Sequence, residues 1–166
     1  METSKAGTDM NSLITKSGRY EVGEYNPKDL SSLNVGLGAL EVVEFLGAGN
    51  MDKNIAANGP AFSAYFDGGL FAIAGINIMW HGVGEAWAMF GDSYVQHGFF
   101  IHRTTLRFLN RLSDDLKLQR LQAVVAKGHW AGAQWVDRLG FKYEGEMEAY
   151  FRGKTFLRYA KIYGGK

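Results

Sequence analysis

Between Ala61 and Phe90 the chain carries three apolar runs parted by glycine-bearing turns, and this pattern narrows the fold more than any other feature. Ala61–Phe66 (AFSAYF) closes on Asp67-Gly68-Gly69, a tight hairpin signal. Leu70–Trp80 (LFAIAGINIMW) is long and apolar, as a central strand should be. His81-Gly82-Val83-Gly84 turns the chain again, and Glu85–Phe90 (EAWAMF) follows, closed by Gly91-Asp92-Ser93. The expectation is a meander of three antiparallel strands.

The flanks mix helix and strand. Arg19–Tyr25 (RYEVGEY) alternates and reads as a strand. Asn26 is placed to cap a helix with Pro27 at its first position, Asp29 suits the helix dipole, and Leu30, Leu33 and Leu37 share a face. A second short helix is expected at Ala39–Leu46, then a Gly- and Asn-rich loop to Pro60. Beyond the meander, Ile101, Thr105, Phe108, Leu109, Leu112 and Leu116 recur at helical steps, so Gly98–Leu116 reads as a helix. Arg103, Arg107 and Arg111 lie on another face of it. Leu121–Ala126 (LQAVVA) reads as a buried strand and Trp130–Leu139 as a helix stopped at Gly140. Phe141–Met147 and Thr155–Tyr163 are the last strands, around the turn Arg152-Gly153-Lys154. Trp87, Trp130 and Trp135 are expected in the core or an interface.

Bulk properties remove several function classes. The 166 residues fit one domain, with 1–18 as a polar arm and 19–166 as the folded unit. With 46% apolar and 21% charged residues, disorder of the whole chain is excluded. The net charge of +1 provides no global field for nucleic acid; the three arginines of the long helix are the local exception, and a solvated helix face is the simpler account of them. The absence of cysteine removes disulfides and thiolate chemistry. The histidines form no metal-binding pair, so no metal is expected. Met1–Ser17 is polar and no run is long enough to span a bilayer, so the expectation is a soluble, intracellular protein without membrane partners.

The element order, with Asp137-Arg138-Leu139-Gly140-Phe141, Tyr143-Glu144-Gly145-Glu146, Tyr150 and Arg152-Gly153-Lys154, resembles the GNAT (N-acetyltransferase) superfamily. The resemblance runs from Arg19 to Tyr163. It implies an α/β (α+β) fold, a mostly antiparallel sheet of six to seven strands flanked by about four helices. Within it, the loop after Phe90, the basic helix that follows and the short ending after Lys161-Ile162-Tyr163 resemble small GNAT-like proteins of short-tailed bacteriophages. That narrower resemblance implies a virion-associated structural or assembly component, in the host cytoplasm or the phage particle. Its partners would be other phage proteins or itself, with the N-terminal arm as the contact.

The superfamily resemblance implies acetyl-CoA as cofactor if the protein is active, and an amine as acceptor. Acetyl transfer requires backbone donors for the diphosphate, a base for the amine and an acid for the departing thiolate. Cofactor contacts are expected from Met89, Phe90, Gly91, Gln96, His97, Gly98 and His129. The family's Q/R-x-x-G-x-G/A loop corresponds to Ser93–Phe100, where Gln96 and Gly98 are present but the glycine spacing differs. Phe99 and Phe100 add bulk there, while His97, Arg103 and Lys127 offer charge. Glu85 is the candidate base, sharing a strand face with Trp87 and Met89; Glu41 and Glu44 are further acceptor candidates. Val136 occupies the position where the family often has an acid tyrosine, and His129 stands where it often has an asparagine. Tyr150 is the remaining candidate hydroxyl. The two functional expectations are therefore a structural protein with a degraded acetyl-CoA site and an active N-acyltransferase.

Overall fold

A computed structural model describes residues 13–34 and 57–164 of the chain. The expected helix at 39–46, with Leu37, Glu41 and Glu44, lies outside the described residues. In order, the elements are β1 (Thr15–Ser17), β2 (Tyr20–Glu24), α1 (Pro27–Ser32), β3 (Ala61–Phe66), β4 (Gly69–Trp80) and β5 (Val83–Phe90). A 3₁₀ helix (Asp92–His97), α2 (Gly98–Asp115), β6 (Arg120–Ala126), α3 (Trp130–Arg138), β7 (Lys142–Phe151) and β8 (Lys154–Ile162) complete them. The strands form one eight-stranded sheet in the order β1-β2-β3-β4-β5-β6-β8-β7. Only β5 and β6 run parallel; the other neighbours are antiparallel.

The sheet exceeds the expected strand count because residues 15–17 pair with β2 and Leu13 is buried. The end of the expected polar arm thus belongs to the sheet. The β3–β4 hairpin turns on Asp67 and Gly68, both at positive φ (49° and 79°), as a two-residue primed turn demands. Arg19 clamps that turn, its Nε donating to Asp67 Oδ1 at 2.8 Å. At α1, Asn26 Oδ1 accepts from the Lys28 amide at 3.0 Å, and Asp29 Oδ2 accepts from the Asn26 amide at 2.9 Å. The same Asp29 oxygen accepts from the buried Ser63 hydroxyl at 2.7 Å, tying α1 to β3.

Strand alternation sorts the core onto two faces. On one, Leu121, Ala123, Val125, Leu157 and Tyr159 pack beneath Phe108, Leu109 and Leu112 of α2 and Ala133 and Val136 of α3. On the other, Ile73, Trp87 and Met89 lie with Leu33 near α1. Trp130 opens α3 and is 66% exposed, so of the two places expected for it the core of this chain is not the one.

The segment expected as a loop after β5 is the 3₁₀ helix. It starts at the end of β5 and ends at His97, whose ring meets Tyr20 of β2, Phe66 of β3 and Phe71 of β4. Six residues of 3₁₀ helix rise about 12 Å, against about 9 Å for α-helix, so the tighter coil carries the chain further from the end of β5. Phe71 reaches this cluster from a β4 bulge, where Ala64 pairs with Ala72 but Tyr65 pairs with Leu70.

Candidate active site

The parallel ladder between β5 and β6 has three rungs: Val83↔Arg120, Gly84↔Leu121 and Glu85↔Gln122. Beyond them the strands part, and the facing edges of residues 86–90 and 123–126 have no strand partner across the gap. Gly84 lets the vertex close, since a Cβ there would stand 2.8 Å from Ile76 Cγ2 and 3.4 Å from Leu121 Cδ1. The result is a cleft that opens toward the C-terminal ends of both strands.

Glu85 stands at the vertex, on the α1 side of the sheet. Gln122, its rung partner, donates from Nε2 to Glu85 Oε2 at 2.9 Å. Asn77 lies directly opposite on β4, so its side chain shares this face. Asn77 Oδ1 is buried and has no hydrogen-bond partner among the described residues. Tyr150 comes from β7, its ring 5.5 Å from that of Phe156. Burial raises the Tyr150 hydroxyl above its ordinary value, and the negative charge of Glu85 raises it further, with Arg158 opposing. The fold therefore brings Glu85 and Tyr150, 65 residues apart in sequence, within electrostatic reach.

An ion network lies beside them. Arg120 grips Glu144 with two bonds, at 2.8 and 2.5 Å, and Arg158 approaches the same carboxylate at 3.4 Å. The Arg120 hydrogen bond holds the Glu144 carboxyl below its ordinary value. Sequence reasoning missed Gln122, Asn77 and this network. A polar Gln within the apolar run LQAVVA was the available signal for the first.

The residues expected to hold a cofactor separate into groups. Met89 is fully buried beside Ile73 and Trp87, so only its backbone faces the cleft edge. Phe90 reaches across, its ring 5.5 Å from both Tyr94 and Trp135 of α3. Gly91 ends β5, and a Cβ there would lie 3.2 Å from the Asn34 carbonyl oxygen. His129 caps α3 through Nδ1, which accepts from the Gly132 amide at 3.1 Å. Gln96 and His97 end the 3₁₀ helix and Gly98 opens α2; the His97 ring lies 4.5 Å from Phe71 of β4, 4.8 Å from Phe66 of β3 and 5.6 Å from Tyr20 of β2. His97 is 6% exposed, with Nδ1 3.0 Å from the Tyr20 hydroxyl. Lys127, expected to offer charge, is paired with Glu146 at 2.8 Å.

These placements test the fit of acetyl-CoA. The open strand edges suit an extended, amide-bearing arm, which can pair with backbone as a strand would. Among the described residues the diphosphate has no comparable seat at the cleft mouth. The Gly91 amide donates to Phe71 O at 2.8 Å, Asp92 to Asn34 O at 3.0 Å and Tyr94 to Gly91 O at 3.0 Å. The Asp92 carboxylate occupies the first turn, where it opposes an anion. Bulk at Phe99 and Phe100, the expected obstacle, is not the reason: Phe99 is 81% exposed and Phe100 stacks on Tyr20.

The architecture is the GNAT fold, a mixed sheet whose parallel pair splays midway. No protein-family model and no curated protein matches the chain by sequence. By structure it is similar to a ribosomal-protein-S5-alanine acetyltransferase from Vibrio fischeri (15% identity, 90% of this chain and 96% of that one, TM-score 0.65). It is similar also to a GNAT-family acetyltransferase from Bacillus anthracis (15%, 90% and 98%, TM-score 0.69). A third likeness is to a ribosomal L7/L12 alpha-N-protein acetyltransferase in complex with coenzyme A (12%, 90% and 97%, TM-score 0.66). At these identities the likeness establishes the fold. No helix among the described residues is long and apolar enough to cross a membrane.

Proposed function

We propose that this protein is an N-acyltransferase that takes an amine in the β5/β6 cleft. One observation carries the reading: Glu85 stands at the point where the strands part, with Asn77 Oδ1 unpartnered among the described residues on the same face and Tyr150 in reach. An ammonium group offers several donors and matches a carboxylate beside an amide oxygen. Glu85 then accepts the proton the amine must lose, and Gln122 fixes the carboxylate that does so. Tyr150 keeps its proton at neutral pH and can give it to a departing anion. Acetyl-CoA would supply the acyl group, with its extended arm along the open strand edges; among the described residues the diphosphate finds no matching seat at the cleft mouth.

The test is acetyl transfer to a panel of small amines and amine-terminated peptides, with calorimetry of acetyl-CoA binding. Replacing Glu85 by Gln should lower kcat by about 10²- to 10⁴-fold while changing binding little. No heat at millimolar acetyl-CoA would reject the reading.

The committed amides and Asp92 favour a second reading, a GNAT-fold protein that binds without transferring acyl groups. The resemblance to phage proteins directs its test to the virion. Mass spectrometry of purified particles should find the chain in fixed copy number, and its absence would remove that role.

A further inference from the structure

A second cavity, of about 460 Å³, lies on the α2 side of the sheet, between Gln96, Phe99, Arg103 and Arg107 on one wall and Thr15 and Ser17 of β1 on the other. Its size falls within the range of about 300–1,000 Å³ typical of small-molecule sites. Among the described residues no carboxylate lines it. Arg103 and Arg107 are four residues apart, hence on one helix face. Neither meets a carboxylate among the described residues, whereas Arg19, Arg111, Arg120 and Arg158 each do. Arg107 Nη2 makes a long bond of 3.3 Å to Thr15 Oγ1, which leaves its other donors available. Phe99 is 81% exposed beside these guanidiniums, while Phe100 behind it stacks on Tyr20 at 3.9 Å.

We infer that this cavity binds a nucleotide. Arg103 and Arg107 present planar, charged donors to the phosphates, with the hydroxyls of Thr15 and Ser17 in the same lining. Phe99 offers a flat apolar face to the base. The net charge of +1 gives no extended basic track, so a compact ligand fits better than a nucleic-acid strand. The residues that line the cavity come from β1, β2, the 3₁₀ helix and α2, with none from β5 or β6. The ligand is therefore separate from the acyl-transfer site, and the inference stands or falls independently of that function.

ADP is the probe. Calorimetry at low salt should show saturable binding of ADP to the wild-type chain. Arg103→Gln with Arg107→Gln should weaken it at least about tenfold, the loss expected for charge-assisted bonds. Phe99→Ala should weaken ADP by about fivefold or more while leaving inorganic pyrophosphate binding unchanged. All three side chains are exposed, so melting temperatures should be unaltered. Absence of saturable ADP binding, or equal ADP affinity in a folded double variant, would overturn the inference. An oligonucleotide whose affinity grows with length beyond that of ADP would do so too. Displacement of ADP by acetyl-CoA would assign the cavity to the acyl donor and likewise overturn a separate site.

Discussion

Tyr20→Phe removes one oxygen from the cluster that fixes where α2 begins. The Tyr20 hydroxyl and His97 Nδ1 are 3.0 Å apart, and His97 is 6% exposed. The substitution keeps the ring, so its stacking on Phe100 at 3.9 Å persists and the hydrogen bond is the principal loss. A buried imidazole nitrogen without a partner costs about 1–3 kcal/mol, and we take about 1–2 because a rim water can partly replace the hydroxyl. For a chain of this size that predicts a fall in Tm of about 3–6 °C. Thermal melts of Tyr20→Phe, His97→Phe and the double variant form a cycle. The double variant removes both polar ends, so it should be less destabilised than the sum of the singles, by about 0.5 kcal/mol or more. An unchanged Tm in Tyr20→Phe together with strict additivity would mean that His97 is not anchored over β2. The displacement of α2 from the cleft would fall with it.

Two further outcomes follow from the geometry. Gly75→Ala would place a Cβ 2.6 Å from the Pro60 carbonyl oxygen and 2.7 Å from Trp87 Cζ2, neither of which can retreat easily. Urea unfolding should show a loss of about 1–3 kcal/mol with an unchanged m-value. Glu144 ionises below its ordinary value of 4.5 in the native state, chiefly through Arg120, so on acidification the unfolded chain takes up its proton first. The resulting stability is present above that value and is lost as pH falls through the lower native one. Glu144→Gln should therefore lack part of the wild-type fall in Tm below about pH 4.5, and identical acid profiles would contradict this.

The meander was legible because its signals are local. Asp67-Gly68 supplies a turn that needs positive φ at both residues, and the runs on either side have the lengths of strands. The cap at Asn26 and the stop at Gly140 were legible for the same reason. β1 was not, since Thr15-Lys16-Ser17 is short and polar and acquires strand geometry only by pairing with β2. The six residues from Asp92 to His97 carry no apolar period, so nothing local announces a 3₁₀ helix. Glu85 and Tyr150 were chosen from residue type and resemblance. Their proximity arises from strand order, which places β8 between β6 and β7 and folds the last hairpin back toward the vertex.

The 3₁₀ segment also connects the two sites chemically. A helix gathers positive potential at its start, and that potential fades within about one turn. Had α2 begun where β5 ends, its free amides would face the cleft and favour a diphosphate there. The six-residue bridge instead carries that start to His97, beside Tyr20, Phe66 and Phe71, and leaves Asp92 at the position it vacates. Arg103 and Arg107 travel with the helix, so positive charge collects around the cavity beside β1, while Asp92 stays at the end of β5. Sulfate or phosphate should therefore compete with ADP at the cavity far more than with an acyl donor at the cleft. A cleft whose ligand affinity fell steeply with phosphate concentration would show that this separation of charge is wrong.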